Sequence, residues 1–565
     1  MKILLCNLPI RDKASEFPPV ACTVLYNVLK RAGYNNSTFY DIDVKRPSAE
    51  ELNRFFKEER FDIVGISAVV STGYSYTKFL SETIKKASPE TQVILGGNLA
   101  AAYEVVLRKC AVDVCVIGRG EKTLLKLIKH YELNGNFYPH KQLFNIEGIA
   151  FLDRDGKCIY TGCQDSLDEG CEEQPDYEVL EKFSEIDNYI VDPLSRYDFA
   201  YDHRAHILHR CGKKAATIFT SKGCINRCTF CHRWLKGYHL LPVEKVTTAI
   251  KKLMERYNVG FFFIEDECFG ENKEWLEDFM KAVKPLDVLF VVSGARVSLV
   301  KKDPTVIRRL KDAGLTAIYF GIESGSEKIL KIMEKNANRS ENLEAMKMCV
   351  KAGIYSVIQL VIGMPGENDQ TINETIEFVK NVTVDCPNST LSVNYLQALP
   401  GTPSFDFLRL RGLLGNSIED EERYLIKISN KDATEFDQYV NVSEEPLSKV
   451  KLWKPRIAFG NDIHWLKHHG WKFPENSDRK FFRKSSVKIS LFSRLVSILL
   501  PGMLLLRVID IMGDSFWKTL LIRYRLRMYG FKKSFLIALG LMKENDRALF
   551  RITEDKSLRK ILNLK

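Results

Sequence analysis

The chain has 565 residues, 45% hydrophobic and 27% charged, which excludes a disordered segment and a single small core and allows three or four folded domains. Its net charge of +11 belongs to the tail: residues 471–565 carry 21 Lys/Arg against 8 Asp/Glu, and the rest is close to neutral. No uninterrupted apolar stretch reaches the ~18–20 residues that cross a bilayer, and the opening MKILLCNLPI reads as a buried strand, not a signal peptide.

Residues 1–135 alternate near-continuous apolar strands (KILLCNL, STFYDID, FDIVGISAVV, TQVILGGN, VDVCVIGR) with amphipathic helices such as VACTVLYNVLKRAGY and TKFLSETIKKA. This pattern predicts an α/β fold, a doubly wound, Rossmann-like parallel sheet. Ligands of such sheets bind beyond the carboxyl ends of the strands. Those ends carry Ser67, then Gly96-Gly97-Asn98, then Gly118-Arg119-Gly120-Glu121. Residues 136–214, rich in Asp, Glu, Pro and Tyr, read as a connector with short strands. Over 215–410 a second series follows: AATIFTSKG, FFFIEDECFG, LFVVSGARV, TAIYFGIESGS, YSVIQLVIGMPGE and LSVNYLQALPGTP, each separated by a helical pattern. About six βα units predict a partial (β/α)6 barrel with its chemistry at the strand C-termini. Residues 411–565 read as a basic, mainly helical region.

Fourteen cysteines are scattered along the chain, and several (Cys6, Cys115, Cys349) sit in apolar runs where a thiol packs as a small hydrophobe. A reduced, cytoplasmic setting is the expectation, in which a clustered set is a ligand candidate. One such cluster exists. SKGCINRCTFCHRW places Cys224, Cys228 and Cys231 in the first βα loop. The spacing admits three readings: an iron–sulfur cluster whose last ligand is not protein, a zinc site, or coincident core thiols. His232 is poorly placed to complete a zinc tetrahedron beside Cys231, and the glycine and charges nearby make a poor core.

CxxxCxxC with Phe230 before the third cysteine resembles the signature of the radical S-adenosylmethionine (SAM) superfamily. The resemblance implies a four-iron four-sulfur cluster on Cys224, Cys228 and Cys231, with SAM as the ligand of the fourth iron. It also implies SAM contacts at the strand ends. Glu265, Asp266 and Glu267 would meet the methionyl ammonium and Arg296 the methionyl carboxylate. Glu323 and Ser324 of FGIESGS would meet ribose or carboxylate, and Gly363 and Gly366 of VIGMPGE would flank adenine. LPGTP (Leu399 to Pro403) resembles the sixth-strand end of the same family. The N-terminal pattern, carried by PPVACTVLYNVLKRAGY, FDIVGISAVV, VILGGN and VDVCVIGRGEKTLLKL, resembles the cobalamin-binding domain that precedes this barrel in one branch, the class B radical SAM methyltransferases. It implies cobalamin contacts at Ser67, Gly96, Gly97, Asn98, Gly118, Gly120 and Glu121. The cobalt-ligating DxHxxG motif is absent, no histidine precedes His130, and Asn98-Leu99 stands where many relatives have Pro-His.

The resemblance implies a 5′-deoxyadenosyl radical and methylation of an unactivated carbon, with radical cyclisation or rearrangement as the runner-up. A non-catalytic corrin or iron–sulfur sensor is the reading from another class, and it leaves the full run of SAM-face motifs without use. The implied partners are a small-molecule or lipid-type substrate and an electron donor such as flavodoxin or ferredoxin. The basic tail, with Arg523, Arg525 and Arg527 around Tyr524 and Leu526, fits a helical cap first. Peripheral membrane contact comes second and nucleic acid last. His203, His206, His209, Tyr238 and His239 flank the cysteine loop as acid–base candidates without a motif.

Overall fold

The computed structural model describes residues 1–138, 141–163, 174–232, 237–383 and 389–469, and residues 1–451 form one compact unit. Five parallel strands, β1 (Ile3–Asn7), β2 (Ser37–Asp41), β3 (Ile63–Ser67), β4 (Gln92–Gly96) and β5 (Val114–Val116), stand in the order β2-β1-β3-β4-β5. Every residue of β1 is buried, which is why its sequence shows no polar alternation. The strand order reverses beside β1, creating a crevice at the carboxyl edge. The pairings Asn7↔Ser67 and Ser67↔Gly96 bring three strand ends level there. Around the sheet, helix Ala49–Glu59 starts in a capping box of Ser48 and Glu51. Two short strands from the segment read as a connector, β6 (Ile149–Leu152) and β7 (Cys158–Tyr160), extend the sheet antiparallel beyond β5.

The second sheet is an open, six-stranded parallel half-barrel built in chain order from β8 (Lys214–Ile218), β11 (Val259–Phe269), β12 (Leu289–Ala295), β13 (Leu315–Glu323), β14 (Ser356–Ile362) and β15 (Ser389–Tyr395). Between its first two strands, β9 (Ser221–Cys224) and β10 (Gly237–Leu240) form an antiparallel pair. In β14, Ser356, Ile358, Leu360 and Ile362 are buried while Val357, Gln359 and Val361 are half-buried. One face of the strand therefore packs on helices and the other lines the barrel interior. At the N-terminal ends of the strands Phe199 packs among Phe261, Phe263, Leu289, Val291 and Ala317, closing the floor of the barrel. The cysteine loop emerges at the opposite end.

After β15 the chain returns to the first sheet. Ala398, Phe405, Leu408, Tyr424, Leu425 and Ile428 share a core with Leu95, Leu99 and Val105. Helix Ile418–Ile428 is fastened there by polar contacts. Glu422 accepts from Tyr74 Oη (2.9 Å) and Lys78 Nζ (2.7 Å), and Glu419 accepts from Lys109 Nζ (2.6 Å). The Asn430 N–H donates to the Thr72 carbonyl at 3.0 Å. These contacts set the end of the sixth barrel strand beside the carboxyl edge of the N-terminal sheet. Among the described residues no helix is long and apolar enough to cross a membrane. The basic tail from Trp471, to which the membrane and nucleic-acid expectations attach, lies outside the described residues.

Candidate functional site

The cysteine loop is tied down on three sides. The Gly223 N–H donates to Glu267 Oε2 at 2.8 Å, linking the loop to the end of β11. Thr229 donates its N–H to the Met333 carbonyl (2.9 Å) and its hydroxyl to the Ile332 carbonyl (3.2 Å). Its own carbonyl accepts from both the N–H and the hydroxyl of Ser404, each at 2.9 Å. Cys228 is buried, Cys224 half-buried and Cys231 exposed, and all three thiols lie within electrostatic reach of one another. Among the described residues no three His, Cys, Asp or Glu side chains converge on a single metal ion; the thiols line a rim instead.

Cys268, which reads in FFFIEDECFG as a core thiol, sits behind this rim. Its hydrogen bond holds the Cys224 thiol down to about 6, and the same bond, with burial, pushes Cys268 up. Arg296, with its guanidinium 3.6 Å from Glu271, bears on Cys224 and Cys228. Three soft donors beside fixed positive charge fit an anionic iron–sulfur cluster.

The acidic run at the end of β11 divides between two faces. Glu265 is half-buried and Glu267 exposed, on the interior side, but Asp266 between them is buried on the other. Burial pushes Glu265 above the usual carboxylate range, with a Ser293 hydrogen bond opposing it. Asp266 accepts from the Thr220 N–H (2.8 Å), the Thr220 hydroxyl and the Ser221 hydroxyl (2.8 Å). Burial still raises it to about 6. The expectation that all three acids face the methionyl ammonium is corrected for Asp266, because strand alternation turns it toward the base of the cysteine loop.

Ser324 is likewise turned away: its Oγ accepts from the Ser326 N–H (3.1 Å) and lies 3.4 Å from Thr375 Oγ1, under helix Asp369–Thr383. Glu323, in the left-handed region (φ 63), aims its carboxylate at Lys335 Nζ, 2.9 Å away. The glycines expected beside adenine have other neighbours. A Cβ on Gly363 would lie 2.5 Å from the Tyr439 ring, and one on Gly366 would lie 3.0 Å from Ile332. Tyr439 Oη donates to the Gly363 carbonyl at 2.9 Å. Glu367, the last residue of VIGMPGE and given no role of its own from the sequence, is buried behind this turn, accepting from the N–H groups of Gly363 (2.5 Å) and Met364 (3.0 Å). Burial lifts it to about 7. Two of the flanking histidines have structural partners: His206 meets the Ala200 carbonyl and His209 the Asp287 carboxylate.

At the N-terminal sheet, Ser67 ends β3 level with Gly96 of β4. Among the described residues nothing lies within 4 Å of a Cβ placed on Gly96, so this edge is open above it. Gly97 serves the turn itself: at φ +90, its Cβ would lie 2.3 Å from the Ala68 carbonyl. Asn98 begins the 3₁₀ turn Asn98–Ala102. Gly118 (φ 90) and Gly120 lead into helix Glu121–Asn134, where Glu121 stands 3.9 Å from the Arg119 guanidinium. The buried Ser71 hydroxyl, in the loop after β3, has no hydrogen-bond partner among the described residues. An open crevice with small residues and an unsatisfied hydroxyl fits a bulky group that carries polar substituents.

Residues 218–379 match the radical SAM superfamily and residues 10–128 match the B12 binding domain. The anaerobic magnesium-protoporphyrin IX monomethyl ester cyclase of Cereibacter sphaeroides is 28% identical over 407 residues, 70% of this chain and 61% of that one. The chain thus spans about three-fifths of that relative's length. An uncharacterized methyltransferase of Pyrococcus horikoshii is 25% identical over 434 residues, 73% of this chain and 84% of that one. Among solved structures, the cobalamin-dependent SAM radical enzyme OxsB with aqua-cobalamin and SAM bound has a TM-score of 0.61 at 15% identity, covering 98% of this chain and 84% of its own. The radical SAM methyltransferase TsrM of Kitasatospora setae, with cobalamin and a [4Fe-4S] cluster bound, has a TM-score of 0.55 at 18% identity, covering 74% and 76%. The fold is shared with both. A radical SAM domain implies a four-iron four-sulfur cluster and SAM, and a B12 binding domain implies cobalamin. The chain thus carries a radical SAM domain over residues 218–379 and, before it, a B12 binding domain over residues 10–128.

Proposed function

We propose that the chain is an enzyme that transfers a methyl group to an unactivated carbon of a small-molecule substrate. When bound, the cluster and SAM supply a 5′-deoxyadenosyl radical and cobalamin supplies the methyl group. The chain's own part is placement. The loop bonds of Gly223 and Thr229 fix the three thiols, and Glu265 and Glu267 present carboxylates on the interior side, suited to an ammonium group. Phe199 and its neighbours pack an apolar floor at the end of the barrel away from the cysteine loop.

One observation supports the reading above all. Residues 396–430 bind the cysteine-bearing end of the barrel to the carboxyl edge of the B12 binding domain, so both cofactor faces belong to one compact unit. The test is anaerobic reconstitution with iron, sulfide and hydroxocobalamin, then incubation with methyl-labelled SAM, a one-electron donor of flavodoxin or ferredoxin type, and candidate substrates. Label in a product together with 5′-deoxyadenosine supports the proposal. Deoxyadenosine with an unlabelled, rearranged product overturns it in favour of radical cyclisation, the second reading, which the cyclase relative favours. We place peripheral membrane contact on the basic tail from its composition alone, and equal liposome binding with and without residues 471–565 would remove it.

A further inference from the structure

Lys335 lies twelve residues beyond Glu323, in a polar stretch that carries none of the strand-end motifs. Three features set it apart. The first is its backbone. Glu334 (φ 49) and Asn336 (φ 53) on either side both adopt the left-handed region, which Asn takes readily but Glu disfavours, so this turn is held tightly at Glu334. The second is where the turn docks. The carbonyls of Ile332, Met333 and Lys335 accept from the Thr229 hydroxyl, the Thr229 N–H and the Asn226 amide (3.5 Å). The segment therefore lies directly under the cysteine loop.

The third is the direction of the side chain. Only 13% exposed, it runs back to Glu323 Oε1 at 2.9 Å. The pair lies across Gly321: a Cβ there would be 2.5 Å from both Glu323 Oε1 and Lys335 Nζ. A bare α-carbon on β13 and a left-handed glutamate both serve to seat one ammonium group. Its field reaches the thiols of Cys228 and Cys231. Burying an ion pair is costly, and an apolar contact would stitch the same elements together more cheaply. The charge is what a stitch would not need.

We propose that Lys335 is a positioning residue for the cluster, a fixed positive charge that eases its one-electron reduction. This rests on the iron–sulfur reading of Cys224, Cys228 and Cys231. The electron comes from the external one-electron donor. No proton moves, and the ammonium offsets the negative charge that reduction adds to a centre already carrying thiolates. Glu323 tempers that charge and fixes its place.

The test is the cluster's midpoint potential, followed by electron paramagnetic resonance in reconstituted full-length protein without SAM, with iron counted in parallel. Lys335→Met is expected to shift the potential to more negative values, Lys335→Arg to return it toward wild type, and Glu323→Gln to shift it the other way. Shifts of opposite sign are what a purely structural role does not produce. Unchanged potentials in iron-replete Lys335→Met and Glu323→Gln overturn the proposal. Should Lys335→Met shed its iron, Glu323→Gln decides alone: a potential at or below the wild-type value overturns it. Wild-type protein that binds no iron would instead sink the cluster reading beneath it.

Discussion

The two cofactor faces are built by opposite means. The barrel rim is crowded: Thr229 makes hydrogen bonds to two other segments, Asp266 braces Thr220 and Ser221, and Arg296 and Lys335 bring charge against the thiols. Among the described residues the edge of the N-terminal sheet is sparse, with open space over Gly96, small residues at Ser67, Gly118 and Gly120, and a hydroxyl at Ser71 left without a partner. A group held by three covalent bonds to sulfur needs its ligands fixed and its charge balanced. A large group held without any bond needs shape and a few polar contacts, so the protein supplies room. The contrast also predicts which substitutions each face tolerates.

The sharpest way to separate the faces is to remove the thiols. A Cys224/Cys228/Cys231→Ala variant is expected to lose essentially all of the roughly four irons of such a cluster while retaining corrin, measured by iron and corrin content after desalting. Loss of both together would mean that the two faces form one cooperative site.

Next in size is a pH effect behind the crowded rim. Folding raises Glu367 from 4.5 to about 7, so the folded chain binds the extra proton between those values. Stability is then present at low pH and declines as pH rises from about 4.5 to about 7, by up to about 3 kcal/mol, and stays flat beyond. Glu367→Gln keeps an acceptor for Gly363 and Met364 without the charge. Its urea midpoint is expected to fall less than that of the wild type between about pH 5 and about pH 8. Equal declines would assign the effect to other groups.

The sparse edge is probed by filling it. Gly96→Leu adds a side chain into open space, so the protein is expected to fold and keep its iron. Corrin affinity should weaken about tenfold or more, equivalent to about 1.4 kcal/mol, read by equilibrium dialysis. Undiminished affinity would move the corrin away from β4. The smallest effect is expected at the seam between the faces. Tyr74→Phe deletes the hydroxyl bonded to Glu422 and should cost about 1 kcal/mol, seen as a lowered Tm without change in either cofactor.

What the sequence discloses follows the same division. Apolar runs such as KILLCNL and FDIVGISAVV mark buried parallel strands, and the spacing of Cys224, Cys228 and Cys231 marks the loop, because these signals are local. The middle acid of Glu265-Asp266-Glu267 was also open to local reasoning, since alternation along a strand turns it away from its neighbours. Cys268 was not, for a thiol in an apolar run looks the same whether it faces a helix or another thiol. Nor was Tyr439, which covers Gly363 from 76 residues away along the chain. A glycine shows that something approaches closely, and only the fold says what. Lys335 belongs to this group too: Asn336 suits a left-handed turn, but nothing in LKIMEKNANRSEN says which loop that turn docks under.

The core shared between Leu95, Leu99 and Val105 and the distant Ala398, Phe405, Tyr424 and Ile428 also has a consequence in time. The five parallel strands of the first sheet are complete in sequence some 300 residues before the helix that covers them is made. At a synthesis rate of roughly 5–20 residues per second, its apolar flank waits about 15–60 s for that cover. The ribosome therefore delivers the half-barrel before the first domain can close, and the earliest part of the chain to be made is among the last to finish folding. Until Asn430 has docked on Thr72, the loop after β3 lacks the contact that the finished chain gives it.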